Sequence, residues 1–166
     1  DYARAAPLQP VADQTYQYAG LLILAGDEEG YRKFCGKLTS MAGEPNDEFS
    51  AFVMARSCAI GPESDVQPRR IVQWAERGVT ENKNARALQV LGLAQYRAGQ
   101  FDEAIQSLEA SNAGNWPALA KSQNDLVLAM AFHRRGNSGK AKQLLAQART
   151  RIDEARQRQA GEPVNL

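Results

Sequence analysis

The side chains best suited to chemistry in this chain are one histidine, His133, and two cysteines, Cys35 and Cys58. A metal centre or a nucleophilic pair needs a second ligand or an orienting group at fixed spacing. The sequence contains no His-x-x-His, Cys-x-x-Cys or Gly-x-Ser-x-Gly pattern. Both cysteines lie on apolar helical faces, where free cysteine commonly behaves as a small buried hydrophobe. We therefore predict no catalytic residue, no metal and no cofactor in this chain.

Arginines recur just before glycines, at Arg97, Arg134 and Arg135. A guanidinium fork at such a place can bind a carboxylate or phosphate through two parallel hydrogen bonds. The same arginines stand in predicted last turns of helices, where a cation complements the helix dipole. We favour the helix-terminal interpretation, and anion binding remains the alternative.

Charge is uneven although the net charge is only +1. Residues 1–65 carry ten acidic and five basic side chains, and residues 133–160 carry eight basic and two acidic ones. A basic helix can bind nucleic acid through phosphates, and the contacts here would be Lys140, Lys142, Arg149 and Arg156. That stretch lacks interleaved aromatic residues for base stacking. We therefore interpret it as a solvated face and expect no nucleic-acid partner.

Four glycines end apolar-patterned segments at spacings of 35, 38 and 37 residues: Gly26, Gly61, Gly99 and Gly136. A glycine just past a helix end supplies the left-handed conformation that closes the last turn, so each glycine predicts the turn of a helical hairpin. Apolar residues at helical spacing flank each of them. The predicted helices are 12–25, 28–42, 46–60, 67–79, 83–98, 101–111, 117–135 and 138–159.

The stretch from Ala85 to Ser111 resembles a tetratricopeptide repeat, and Ser122 to Ala148 is a good second match. The first helical pair is a degenerate match, with Tyr31 where a small residue is expected, and the second keeps only the outline. The residues that define the repeat are Leu91, Gly92, Gly99, Phe101, Ala104, Leu108, Ala129, Gly136, Ala141 and Leu145. The resemblance implies an all-α, right-handed α-solenoid of about four hairpins.

The predicted domain covers residues 11–160, in units of about 12–42, 46–79, 83–111 and 117–159. Residues 1–10 are interpreted as the end of a preceding repeat helix, and residues 161–166 as a tail. Taken together, the repeats are similar to the C-terminal arrays of large planctomycete-type bacterial proteins that carry a serine/threonine kinase domain and WD-type repeats. That similarity implies a larger parent protein that continues upstream of Asp1.

In such repeats the first helix of each hairpin lines a concave groove that binds extended peptides. The resemblance places nine residues there: Arg86, Gln89, Leu93, Tyr96, Arg97, Leu126, Met130, His133 and Arg134. The family's Lys/Asn clamp for a terminal carboxylate is absent, and a half-apolar groove with an arginine rim suits an amphipathic or acidic segment. The alternative is that Leu93, Leu126 and Met130 only pack against neighbouring helices.

The sequence thus predicts a non-catalytic, cytoplasmic protein–protein interaction module that binds a protein or peptide segment in cis or in trans. No apolar run is long enough for a membrane span, so no membrane partner is expected. The alternatives are a standalone adaptor and a module that self-associates through its N-terminal face.

Overall fold

The computed structural model describes residues 12–80 and 83–161. Over these residues the chain forms eight α-helices and no β-strand: α1 (Ala12–Leu24), α2 (Glu28–Ala42), α3 (Glu48–Ala59), α4 (Pro68–Arg77), α5 (Ala85–Arg97), α6 (Phe101–Ala113), α7 (Ala118–Arg134) and α8 (Ser138–Gly161). Each predicted helix is confirmed, with ends that differ by at most two residues. The interpretation of residues 1–10 as a repeat remnant lies outside the described residues, as does the tail from residue 162 onwards.

Helix ends follow local chemistry. Asp27, Asp47 and Asn84 accept hydrogen bonds from backbone N–H groups in the first turns of α2, α3 and α5, which satisfies donors that the helix itself leaves free. Pro68 begins α4, where the missing N–H of proline costs no helical hydrogen bond. These caps explain why the helices begin where the sequence pattern predicts.

The predicted left-handed glycines are confirmed at Gly26, Gly99 and Gly136, whose φ angles are 71°, 77° and 80°. In each of these turns the next N–H donates to a carbonyl five residues back, for example Asp27 to Leu22. Gly61 does lie in the turn between α3 and α4, but its predicted left-handed conformation is wrong, because its φ is not positive. Gly43, which the spacing did not indicate, ends α2 with a φ of 66°.

Consecutive helices pack as antiparallel hairpins, α1 with α2, α3 with α4, α5 with α6 and α7 with α8. Close approach in the third hairpin depends on Gly92. A Cβ there would lie 2.5 Å from Cγ of Leu108 and 3.2 Å from the carbonyl oxygen of Ala104. Glycine at residue 92 therefore allows the two helices of this hairpin to approach closely.

Hairpins stack into a row because each first helix also contacts the next first helix, α1 with α3, α3 with α5 and α5 with α7. The second helices α2, α4, α6 and α8 do not contact one another within the described residues. The row of first helices is therefore the inner, more tightly curved side of the stack. We call α1, α3, α5 and α7 the first-helix row.

The core forms two clusters of buried apolar side chains. The larger one spans α1 to α5 and includes Tyr31, Met54 and Trp74. The smaller one joins α6, α7 and α8 through Leu108, Leu128, Ala129 and Leu144. Leu145, which was predicted to be a repeat-defining residue like Leu108, is 38% exposed, and among the described residues only α7 packs against α8.

Candidate protein-binding surface

The accessible strip of α7 contains four of the predicted groove residues. Leu126 and Met130 are 36% and 40% exposed, and His133 and Arg134 follow at the solvent-exposed end of the helix. The opposite face of α7 carries the buried Leu128 and Ala131. These four side chains therefore lie on one surface, with the apolar pair followed by the two basic residues.

On α5 the predicted groove residues form a partly covered strip. Arg86 is exposed, with its Cζ atom 5.9 Å from the ring centroid of Trp116. Gln89 reaches α7, where its Nε2 lies 3.3 Å from Oε1 of Gln123. Leu93 packs on the larger core cluster, and the Tyr96 ring lies 5.7 Å from that of Phe101. Leu93 is thus partly packed on the core, while Leu126 and Met130 keep more accessible surface.

Arg97 is placed differently from the predicted groove rim. Its Nε and Nη2 donate to the carbonyl oxygens of Ala59 and Ile60, at 3.3 and 3.2 Å. The Arg97 charge therefore complements the negative end of the α3 dipole as well as that of its own helix, α5. Burial lowers the pKa of the Arg97 guanidinium. The side chain also lines a cavity of about 280 Å³ beside Arg32, Cys58 and the α3–α4 loop.

Sequence reasoning missed partly accessible side chains on α3. Phe49 is 59% exposed, and Phe52 and Arg56 follow it at intervals of three and four residues and are half-buried. Arg56 stacks on α1, with its Cζ 3.7 Å from the ring centroid of Tyr16. The sequence pattern of α3 could have indicated them, because the other positions of the helix after its first turn are small or apolar and are buried.

A buried polar network joins the third hairpin to the fourth. Asn124 donates from Nδ2 to Ser111 Oγ and to Asn112 Oδ1, each at 2.9 Å. Asn112 donates to Asp125, which also pairs with Arg151 of α8. Asp125 is only 2% exposed. The network therefore links α7 to both α6 and α8 through buried polar contacts.

The two thiols lie in the core between α2 and α3, far along the stack from the exposed His133. Cys35 and Cys58 are both buried and free. Interaction with the neighbouring Cys58 thiol lowers the pKa of Cys35, while interaction with Cys35 together with burial raises the pKa of Cys58. The structure thus brings no histidine to either cysteine, in agreement with the buried-hydrophobe interpretation.

Neither a metal centre nor a membrane-spanning helix is found in the described part of the chain. No group of three His, Cys, Asp or Glu side chains there has an arrangement that could hold a metal ion. None of the helices there combines the length and the apolar character that crossing a membrane requires.

Comparison with known structures shows the fold. A crystal structure of MamA superimposes with a TM-score of 0.56 and 13% sequence identity, over 89% of this chain and 81% of that one. MamA residues 41 to the end from Desulfovibrio magneticus RS-1 gives a TM-score of 0.55 and 17% identity, over 86% and 76%. No protein-family model and no curated protein matches the sequence. The predicted fold class, an α-solenoid of tetratricopeptide-like hairpins, is confirmed.

Proposed function

We propose that this chain is a non-catalytic protein-interaction module that binds an acidic, amphipathic partner segment along the first-helix row. The observation that carries the proposal is the pairing of exposed apolar side chains with cations on α7 and α5. Leu126 and Met130 retain exposed surface, Arg134 is exposed one turn beyond Met130 on α7, and Arg86 is exposed in the first turn of α5. Buried aromatic or apolar anchors with a polar rim are the usual anatomy of a protein-binding surface.

The sign of the charge supports an acidic partner. Helices α5 and α7 contain one carboxylate, Asp125, and four Lys or Arg residues, of which Arg97 is bonded to the end of α3 and the other three are available. That carboxylate is buried and already paired with Arg151, so it does not oppose an incoming negative charge. Complementary charge across an interface steers encounter and selects partners more than it adds affinity. We therefore expect the partner's acidic residues to lie along Arg86 and Arg134.

The apolar part of the surface indicates the form of the partner. Leu119, Leu126 and Met130 are exposed on the same helix at intervals of seven and four residues. An amphipathic helix presents anchors at the same periodicity and buries them in such a groove. Phe49 is a further exposed apolar side chain on α3, which offers a longer segment a second anchor.

The wider setting of the module rests on the sequence resemblance alone. We place it in the cytoplasm as the C-terminal scaffold or regulatory region of a larger bacterial signalling protein, such as a serine/threonine kinase. A standalone adaptor with the same groove is the alternative. An antibody against residues 85–160 distinguishes them on an immunoblot of source cells. A band far larger than 18.2 kDa supports the attached module, and a band at 18.2 kDa contradicts it.

Site-specific photocrosslinking in source cells tests the binding surface directly. A photoreactive phenylalanine analogue at Met130 should capture a partner, and the same analogue at Glu109, exposed on the second helix α6, is the matched control. We expect a crosslinked species from position 130 that is lost when Leu126→Asp is added. Equal capture from both positions, or capture unaffected by Leu126→Asp, would contradict the proposal.

A further inference from the structure

The two cysteines of this chain are neighbours in the core at the junction of the first two hairpins. Cys35 lies on α2 of the first hairpin and Cys58 on α3 of the second, and both thiols are buried and free. Each thiol shifts the pKa of the other through a side-chain interaction, downward for Cys35 and upward for Cys58. A pair of neighbouring thiols can undergo chemistry that a single buried cysteine cannot.

Tyr31 holds α2 against α3 beside this pair. It stands four residues before Cys35 and is buried on the same face of α2. Its hydroxyl donates to the carbonyl oxygen of Cys58 at 2.8 Å and accepts from the N–H of Gly61 at 3.0 Å. The register of α2 against α3 is therefore fixed within about one turn of both cysteines.

A cavity leads to the pair from the surface. Its volume is about 280 Å³, whereas a water molecule occupies about 30 Å³ in the liquid, so a molecule of the size of hydrogen peroxide fits. Cys58 is part of the cavity wall, together with the half-buried Arg97 and the exposed Asp65 of the α3–α4 loop. The lining of this cavity does not include Cys35. A small oxidant that enters the cavity therefore meets Cys58 first.

We propose that Cys35 and Cys58 are a modification site, at which a peroxide oxidises the two thiols to a disulfide that joins α2 to α3. The oxidant is hydrogen peroxide or a peroxide of similar size, because the cavity limits what reaches the sulfur. This inference concerns the core of the first two hairpins and does not depend on the proposed partner binding.

The oxidation takes two steps. The sulfur of Cys58 attacks one peroxide oxygen, the O–O bond breaks, and the leaving hydroxide takes the thiol proton as water, which leaves a sulfenic acid. The sulfur of Cys35 then attacks the sulfur of Cys58, the S–O bond breaks, and a second water leaves with the Cys35 proton. The lowered pKa of Cys35 favours the thiolate that this second step requires. Two thiols thus lose two electrons to one peroxide, and a dithiol reductant returns them by exchange.

The disulfide fastens the first hairpin to the rest of the stack. Among the helices of the described residues, α1 and α2 contact only each other and α3. A covalent bond from α2 to α3 therefore reinforces the single helical junction that holds the first hairpin. A disulfide favours the folded state mainly by restricting the unfolded chain, so the oxidised chain should unfold at a higher temperature than the reduced one.

Peptide mapping of the full chain tests the assignment directly. The reduced chain is treated with an equal molar amount of hydrogen peroxide, remaining thiols are blocked in denaturant, and the tryptic digest is analysed by mass spectrometry without reductant. We expect the peptides that contain Cys35 and Cys58 to appear as one linked species. The intact chain should lose the mass of two hydrogen atoms, and dithiothreitol should restore both thiols.

Two single variants test the order of the steps. In Cys35→Ala the sulfenic acid formed at Cys58 has no thiol to attack it, so dimedone added with denaturant should trap it. In Cys58→Ala trapping at Cys35 should be about tenfold weaker or less, since susceptibility follows access and thiolate character and Cys35 then has neither the cavity nor its neighbour. Circular dichroism serves as the folding control for both variants.

Thermal unfolding supplies a second readout with its own control. Peroxide treatment should raise the unfolding temperature of the unmodified chain and leave that of Cys35→Ala unchanged, because the variant cannot form the link. An equal rise in both chains would show that another oxidised residue is responsible and would count against the proposal.

Three mapping results would overturn the proposal. The first is a folded chain in which both thiols survive peroxide, which would mean that the oxidant does not reach the pair. The second is a disulfide between two chains in place of the link within one chain. The third is sulfinic or sulfonic acid at Cys58 without any linked peptide, which would mean that Cys35 does not reach the oxidised sulfur.

Discussion

The phenol of Tyr31 occupies the space that the missing side chain of Gly61 leaves free. A Cβ at residue 61 would lie 2.3 Å from Cε1 of Tyr31. The hydroxyl donates to the carbonyl oxygen of Cys58 at 2.8 Å and accepts from the N–H of Gly61 at 3.0 Å. Tyr31 thus closes the C-terminal end of α3 from the neighbouring hairpin, and burial raises the pKa of the phenol well above its ordinary value.

Gly61→Ala should destabilise the chain because the new methyl group must displace a fully buried ring. Overpacking of a well-filled core costs about 1–3 kcal/mol. Tyr31→Phe should cost about 1–3 kcal/mol as well, because it leaves the Gly61 N–H and the end of α3 without their partner. Urea unfolding followed by circular dichroism measures both changes.

Gly20→Ala is the matched control for that prediction. A Cβ at Gly20 meets nothing within 4 Å, and the residue lies inside α1. Alanine in a helix interior is more favourable than glycine by about 0.5–1 kcal/mol, so this variant should be stabilised. Equal destabilisation by the two substitutions would show that the Tyr31–Gly61 fit is not the cause.

Asp125→Ala should be among the most damaging single substitutions in the fourth hairpin. It removes the partner of Arg151 and of the Asn112 amide, and breaking a buried pair from one side costs about 3–5 kcal/mol. Because a quarter of the Arg151 side chain remains exposed, we expect the lower part of that range. Chemical unfolding of the variant provides the measurement.

Glu154→Ala removes the partner of Arg158 in an exposed pair on the same helix as Arg151. An exposed pair four residues apart on a helix contributes about 0.5 kcal/mol or less. A loss for Asp125→Ala no larger than that for Glu154→Ala would contradict the structural role of the buried network.

Acid should loosen the segment between the first two hairpins through Glu44. Its carboxylate accepts from Trp74 Nε1 at 2.9 Å and pairs with Arg70 at 2.5 Å. These two contacts, the Trp74 hydrogen bond first, lower the pKa of Glu44 below 4.5. A carboxyl whose pKa is lower in the folded state stabilises it above the unfolded pKa, and that stabilisation is lost as pH falls through the folded value.

Glu44→Gln should therefore flatten the dependence of the unfolding free energy on pH below about 4.5. Urea unfolding at a series of pH values detects the difference, with Glu109→Gln, an exposed α6 residue, as the control for loss of one carboxyl. Parallel pH curves for Glu44→Gln and the unmodified chain would contradict the assignment.

Most of the fold follows from the sequence because its signals are local. Glycine spacing and apolar periodicity predicted every helix, and Gly26, Gly99 and Gly136 have the expected left-handed conformation. Gly61 shows where this reasoning fails. Residue 61 must be glycine because the ring of Tyr31, thirty residues earlier, occupies the space of a side chain. A local sequence pattern does not reveal such a contact between hairpins.

Side-chain contacts on the surface were harder to predict than the fold, because they also join residues that are distant in the sequence. Arg97 reaches the end of α3, and Arg151 pairs with buried Asp125 although the charged C-terminal stretch was interpreted as solvated. A long side chain near a helix end reaches several ångströms in any direction, so the sequence fixes its charge but not its partner. Leu126, Met130 and Arg134 are exposed within the described part of the chain, and their use in binding stays a prediction.

The measurement that tests the central claim most directly is the affinity of the partner segment captured at Met130 for two charge-reversed variants. Arg86→Glu with Arg134→Glu reverses charge on the first-helix row, and Arg69→Glu with Arg158→Glu reverses two exposed charges on second helices. Titration calorimetry should show binding weakened about tenfold or more, ~1.4 kcal/mol, for the first pair only. Equal weakening by both pairs, or none by the first, would contradict the claim that an acidic segment binds along the first-helix row.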